Sequence, residues 1–341
     1  MKNLSRTKMY KITLSGILLV LFTFSLLSVA YVLFTTSETN AINKSNLDKM
    51  NRFNLWRSVR NAETGHSTIS GIDTNVLINS KGITWRQIRN SVIASYGGYL
   101  MTAVLFLIFA FYAFRGPVQL NHGVSGVLVT RFTPYQRIVH WFVVILFMLL
   151  GATGLILLYG RSALIPMFGP TQFATLASAS KEAHNLFGPI FLVALIMLFV
   201  EYVIPNFFKR SDLKWLANGG GMFNRHASAG RFNLGEKIWF WVVCCLGLML
   251  SVTGLILVLW SMGWTRPELE LAHLTHATVG VVFIAVSFGH IYLATAGTEG
   301  TLRGMTTGQV DRNWASYHHD QWSAEPDSSE AFDIETGRVN D

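Results

Sequence analysis

Ten histidines occur in the 341 residues, at positions 66, 122, 140, 184, 226, 273, 276, 290, 318 and 319, and five of them fall in or at the edge of apolar segments. A histidine at membrane depth faces the interior of a bundle, either as a hydrogen-bonded structural residue or as a functional group. The spacing of these five favours function. The fourteen-residue step from His276 to His290 spans about 21 Å of helix and returns to within about 40° of the same face. One helix therefore presents two imidazoles to one interior, and each has a partner at its own depth: His184 for His276, His140 for His290. Two stacked imidazole pairs are what two b-type haems require, because imidazole suits iron and two axial nitrogens saturate it for electron transfer. Gly188 and Gly280, each four residues beyond a ligand, leave room for a porphyrin on the ligand's own face, and they serve helix packing equally well. His273 lies off the face shared by His276 and His290, so His276 is the expected ligand and His273 is expected at the haem edge or against a propionate.

Two other chemistries compete. Zinc gathers four ligands into one small tetrahedron, whereas these pairs stand about 20 Å apart along the helix. A proton relay in a histidine-bearing transporter also uses intramembrane imidazoles. Such relays bring carboxylates with them, and here Glu201 falls near a helix end. His66, His122 and His226 lie in expected loops, where solvated histidines are the default.

The elements that must position these residues follow from charge. Only 13% of the chain is charged and 51% is hydrophobic, against about 25% charged residues in an average soluble protein. The deficit is concentrated in gaps without Asp, Glu, Lys or Arg, such as Lys237 to Arg266 and Glu270 to Glu299. Six segments, 12–35, 92–114, 138–159, 184–205, 238–261 and 271–295, approach or exceed the roughly 20 residues that cross a bilayer. The fold expected is an all-α integral membrane protein: a four-helix haem-binding core, one additional transmembrane helix and an N-terminal signal or anchor helix. A soluble enzyme is excluded. The +8 charge sits at segment ends, where topology explains it, so nucleic acid is not an expected partner and membrane lipid is.

Six Lys and Arg residues between 206 and 237 place that loop in the cytoplasm. Counting outward, both termini are cytoplasmic if the first helix is uncleaved, and 36–91 lies outside. The expected division is 1–40 signal peptide or anchor, 41–91 periplasmic segment, 92–135 extra helix and linker, 136–298 di-haem core, and 299–341 cytoplasmic tail. The connection 160–183 reads as an outer loop. Two repeats stand out. Trp56-Arg57-Ser58-Val59-Arg60-Asn61 is echoed at Trp85-Arg86-Gln87-Ile88-Arg89-Asn90, and Ala152-Thr153-Gly154-Leu155-Ile156-Leu157 at Val252-Thr253-Gly254-Leu255-Ile256-Leu257. Each copy of the second precedes a helix carrying His-x-x-x-Gly, so the core reads as a duplicated helix pair.

Arg137-x-x-His140-Trp141, His184 with Phe187-Gly188, Asn233-Leu234-Gly235-Glu236-Lys237, His276, His290, and the tail Gly300-Thr301-Leu302-Arg303-Gly304-Met305, Gly308-x-Val310-Asp311, Trp314-Ala315, His318-His319-x-x-Trp322 together resemble the gamma, or cytochrome b, subunit of membrane-bound respiratory formate dehydrogenases, in their longer bacterial form. The resemblance spans roughly residues 130 to 322 and implies an electron-transfer subunit that does not itself oxidise formate. It further implies a complex in the bacterial inner membrane with an iron–sulfur (beta) subunit and a molybdenum or tungsten catalytic (alpha) subunit. Electrons would pass from the iron–sulfur subunit to the outer haem b (His184, His276), the inner haem b (His140, His290) and a quinone, menaquinone or ubiquinone, at the cytoplasmic side. The family's quinone pocket maps to Asn233, Gly235 and Glu236 with His290. A helix N-cap reads the same Asn233 and Glu236 equally well. The cytochrome b subunit of a hydrogenase or another quinone-linked reductase is the alternative within this class. His318 and His319 are expected as solvated tail residues or partner contacts.

Overall fold

The helices that matter begin where the chain supplies a cap. In the computed structural model, which describes residues 80–120, 123–221, 227–323, 331–333 and 339–340, three of the long helices open on a capping box. Thr133 and Gln136 exchange side-chain-to-backbone bonds at 3.2 and 3.0 Å, Asn233 and Glu236 at 3.0 and 2.9 Å, and Thr265 bonds Glu268 likewise. Each box satisfies amide donors that an apolar helix end would otherwise leave open.

The elements are α1 (Ser80–Gln87), a π-turn (Ile88–Ile93), α2 (Ala94–Arg115), β1 (Val127–Thr130), α3 (Pro134–Ala163), α4 (Ile165–Tyr202), α5 (Arg210–Ala217), α6 (Leu234–Val258), α7 (Arg266–Tyr292), α8 (Thr301–Thr306), β2 (Gln309–Asp311), α9 (Arg312–His318), α10 (Asp320–Ser323), β3 (Ala331–Asp333) and β4 (Val339–Asn340). Five spans among the described residues are long and apolar enough to cross a membrane: Thr84–Arg115, Pro134–Ala163, Ile165–Tyr202, Leu234–Val258 and Arg266–Gly297. Large apolar side chains such as Phe106, Phe109, Ile145 and Val200 point outward from them, as lipid-facing helices require and a water-facing surface does not tolerate in such a patch. The chain is thus a helical multi-pass membrane protein. The segment read at 12–35 and the first Trp-Arg-x-x-Arg-Asn copy lie outside the described residues.

The stretch 160–183, expected as a loop, is instead helical almost throughout. α3 runs to Ala163, and α4 breaks only at Gly169, whose φ of 80° with Pro170 behind it makes a kink. No further glycine or proline precedes Gly188, and Ala174, Ala177, Ala179 and Ala183 are strong helix formers, so the chain has no reason to unwind. Beyond the Gly169 kink, residues 170–202 alone rise about 50 Å, well beyond a hydrocarbon core of about 30 Å.

α3 packs on α4, α6 on α7, and α4 on α6, around Val139, Leu146, Phe191, Ala194, Leu195, Val243 and Phe283. α2 lies against α7, and the contact is close because Gly97 faces Val281 and the Tyr159 hydroxyl, where a Cβ would meet atoms at 2.8 and 3.0 Å. Tyr159 donates to the Ala94 carbonyl at 2.9 Å and Arg89 to the Leu157 carbonyl at 2.9 Å. Both of those carbonyls belong to apolar spans.

The described part of the tail packs against the rest of the chain. β1 pairs antiparallel with β2, Leu128 opposite Asp311, and with β3 on its other edge, giving a sheet of order β2-β1-β3-β4. Leu120, Val129, Val310, Trp314, Ala315 and Trp322 form a second apolar cluster there. Asp311 holds the backbone amides of Ser125, Gly126 and Asn313 at 2.8 to 3.0 Å, and Asp320 that of Ala229. His319, expected at the surface, is 1% exposed and bonds the Gly230 carbonyl through Nδ1 at 2.8 Å. Asp311, Asp320 and His319 thus tie this tail to the loops before β1 and α6, and Trp314 and Trp322 fill its apolar cluster.

α5 is fastened to α6 by an ion pair between Lys237 and Asp212, with Nζ to the two carboxylate oxygens at 2.9 and 2.8 Å and both residues buried. Removing one partner of such a pair costs about 3–5 kcal/mol, whereas an apolar pair of similar volume restores most of it. Asp212→Ala is accordingly expected to lower the melting temperature of the detergent-solubilised protein strongly, and Asp212→Leu with Lys237→Met to recover most of the loss. A single variant as stable as the parent contradicts this.

Candidate functional site

The second sequence repeat places two equivalent cradles in the bundle. On α3, Thr153 lies against His184 of α4, Oγ1 to Nδ1 at 2.8 Å. On α6, Thr253 lies against His276 of α7 in the same way at 2.9 Å. Each threonine is followed by a glycine whose missing side chain admits the ring: a Cβ would stand 3.4 Å from His184 Cε1 at Gly154 and 3.2 Å from His276 Cε1 at Gly254. The Thr-Gly dipeptide is thus an orient-and-admit device, used once per helix pair. The repeat is visible in the sequence, but its partners are set by packing between helices and could not be read along the chain.

The hydrogen bonds determine which ring nitrogen is free. Thr153 Oγ1 lies 2.9 Å from the Leu149 carbonyl oxygen and Thr253 Oγ1 2.7 Å from that of Met249. A hydroxyl has one hydrogen and a carbonyl can only accept, so each threonine donates to its helix and accepts from the ring. Nδ1 therefore carries the proton, which leaves the lone pair on Nε2. His184 and His276 face one another with ring centroids 6.0 Å apart at 74°. With metal–imidazole bonds of about 2 Å, two rings sharing one metal ion stand roughly 6 Å apart. At Gly188, one turn beyond His184, a methyl group would meet nothing within 4 Å.

His140 of α3 and His290 of α7 lie toward the other ends of their helices from the Thr153 and His276 levels. His290 lies near enough to His140 and Glu236 for their charges to act on it, and it stacks on Trp239 at 4.6 Å and 11°. His140 Nδ1 is buried with no hydrogen-bond partner among the described residues, and the neighbouring Trp141 is fixed by an Nε1 bond to the Met305 carbonyl at 3.0 Å. The His273 ring stands edge-on to Trp85 of α1 at 5.2 Å, near enough to His276 for its charge to act on it. Among the described residues no cluster of three or more His, Cys, Asp or Glu could hold a metal ion.

Asn233 and Glu236 make the cap bonds given above, and Gly235 lies against Trp215 of α5, where a Cβ would sit 3.5 Å from the indole. Glu236 also accepts from Arg131 at 2.9 Å with its side chain one-third exposed, and its other oxygen stands 3.8 Å from His319 Nε2. Arg131 stacks over Trp314 at 4.6 Å. Sequence reading quoted Lys237 in the motif before α6 but missed its pairing with Asp212 and that of Arg131 with Glu236, because these partners are distant in the chain.

This arrangement, apolar helices that bring His184 and His276 face to face inside the bundle, defines a helical membrane protein with an interior imidazole pair. The chain belongs to the prokaryotic cytochrome b561 family, whose model matches residues 131–308, and haem b is the cofactor of that family. Among proteins of known role, it is 30% identical over 211 residues to the cytochrome b556 subunit of the nitrate-inducible formate dehydrogenase of Escherichia coli K12, covering 60% of this chain and 94% of that one. It is 31% identical over 205 residues to the formate dehydrogenase cytochrome b556 subunit of Haemophilus influenzae, covering 58% and 83%. The family match begins at Arg131, so α1 and α2 lie beyond it. The site suits haem: the facing imidazoles at 6.0 Å, the Nδ1 bonds that free Nε2, and the open face at Gly188 are each what an axially ligated porphyrin needs.

Two outcomes are expected. At Gly254 the approach is already tight, so Gly254→Val pushes His276 out of register and lowers haem content, while Gly154→Ala, at ordinary contact distance, leaves it near the parent level; a haem spectrum at full intensity in Gly254→Val contradicts the cradle. The second concerns His319. Burial, assisted by the Arg131 guanidinium, pushes its imidazole down to about 3, so it is neutral at pH 7. The unfolded chain takes up that proton near pH 6.5. Between about pH 6.5 and 3 the unfolded state binds more protons, so stability falls as pH falls, by at most about 1.4 kcal/mol per pH unit. Melting temperatures at pH 7 and 5 should separate more in the parent than in His319→Gln; equal separations contradict the assignment.

Proposed function

We propose that this chain is the di-haem cytochrome b subunit of a formate dehydrogenase, anchoring the complex in the inner membrane and linking it to quinone. The observation that carries the reading is the face-to-face His184–His276 pair held by equivalent Thr-Gly cradles. His184 and His276 hold the outer haem, His140 and His290 the inner one. When bound, the haems supply one-electron carriers that link the periplasmic iron–sulfur subunit to quinone at the cytoplasmic face. The protein's own part is to bind and orient: Thr153 and Thr253 fix the ring tautomers, and Trp239 supports the His290 ring plane. The basic 206–237 loop supports the orientation, with His140 and His290 at the cytoplasmic end.

Asn233, Gly235 and Glu236 with His290 are proposed to line the quinone pocket. Glu236 keeps a partly exposed carboxylate beside His290, although both its oxygens already serve the cap and Arg131. Protons taken from the cytoplasm by a quinone reduced there would store membrane potential, since each charge crossing 100 mV corresponds to about 2.3 kcal/mol.

In the complex isolated in mild detergent, formate should reduce the haem bands. Reduction by hydrogen but not formate would instead support the hydrogenase alternative, and the absence of any dithionite-reducible b-type spectrum would overturn the reading. His184→Ala or His276→Ala should remove one haem, and His140→Ala or His290→Ala the other.

A further inference from the structure

The two histidine pairs are supported unequally. Both rings of the pair assigned to the outer haem set Nδ1 against a threonine hydroxyl, at 2.8 and 2.9 Å, with the Leu150 carbonyl as a further acceptor for His184 and the Leu250 carbonyl for His276, and each hydroxyl is itself polarised by donating to a carbonyl of its own helix. At the other pair, His140 Nδ1 has no partner among the described residues, and the neighbour that aligns His290 is the stacked indole of Trp239, not a hydroxyl at hydrogen-bond distance. Donation from the far nitrogen raises the basicity of the nitrogen that binds metal, and a more basic axial ligand favours the more highly charged, oxidised iron.

From this asymmetry, and resting on the haem assignment above, we propose that Thr153 and Thr253 are positioning residues that set the reduction potential of the outer haem below that of the inner one. Neither threonine touches the iron. Each acts through its histidine, by holding the proton on Nδ1 and the ring in place. The pairing of a threonine with the following glycine in both halves of the repeat fits this role: the glycine brings the ring close enough for the bond to be short. The resulting order of potentials is the one that delivery from the outer to the inner end requires.

The test is a redox titration of the intact complex carrying Thr153→Val, Thr253→Val or both, with Thr153→Ser and Thr253→Ser as conservative controls. The outer component is identified as the one missing in His184→Ala. The expected result is two haems per chain, an outer potential moved positive in each Val variant and further in the double, an unchanged inner potential, and recovery of the parent value in the Ser variants. Two retained haems with both potentials unmoved would overturn the proposal while leaving the haem assignment intact. Should the Val variants shed the outer haem, the Ser variants decide: retention at the parent potential supports the hydroxyl bond, and loss equal to Val overturns it. A parent complex without haem would instead refute the assignment on which the proposal rests.

Discussion

An imidazole inside a lipid-spanning bundle has two nitrogens to satisfy and no water to do it, and the molecule is arranged around that requirement. At His184 and His276 one nitrogen goes to a threonine on the neighbouring helix and the other to the interior. This choice determines which helices must be adjacent: α3 beside α4 and α6 beside α7, the pairs that pack most extensively. It also fixes their register, because a threonine one turn away would not reach, and beside Thr253 a residue larger than glycine would crowd the His276 ring. The duplicated Thr-Gly step is therefore the local rule from which the four-helix arrangement follows.

The opposite end is closed by different means. There the chain brings charge to the membrane edge and neutralises it in pairs, Arg131 with Glu236 and Lys237 with Asp212. Over the first of these pairs the tail lays Trp314, stacked on the Arg131 guanidinium, and His319, 3.8 Å from the Glu236 carboxylate. Arg131 is 3% exposed, a position tolerable only because a carboxylate, a carbonyl and an indole face surround it. The same cap that starts α6 thus holds Glu236 both to Asn233 and to Arg131. A residue read either as a helix cap or as a quinone contact is structurally the former, and on the proposed reading it serves the second with the part of its carboxylate that remains exposed.

Much of this was legible along the chain. Charge gaps located the five spans because lipid forbids charge over a fixed length, and the facing of His276 with His184 was legible because both fall at the same depth. The Asn233 cap was legible because its chemistry is local. What escaped was non-local or propensity-driven. The loop expected at 160–183 is helix, since lack of need to be buried does not unwind an alanine-rich stretch. The tail expected in solvent is packed, because its strands have two to four residues and gain their order from partners nearly two hundred positions away, as Leu128 does from Asp311. The asymmetry between the histidine pairs was invisible for the same reason: the Thr153–His184 bond spans 31 residues and two helices.

The central claim is that four imidazoles form two separate six-coordinate haem sites. Its most direct measurement is haem stoichiometry with electron paramagnetic resonance on the purified oxidised protein. The account predicts two haem b per chain, both low-spin with two histidine ligands. One haem per chain, or a high-spin signal from a site lacking its second imidazole, would contradict it.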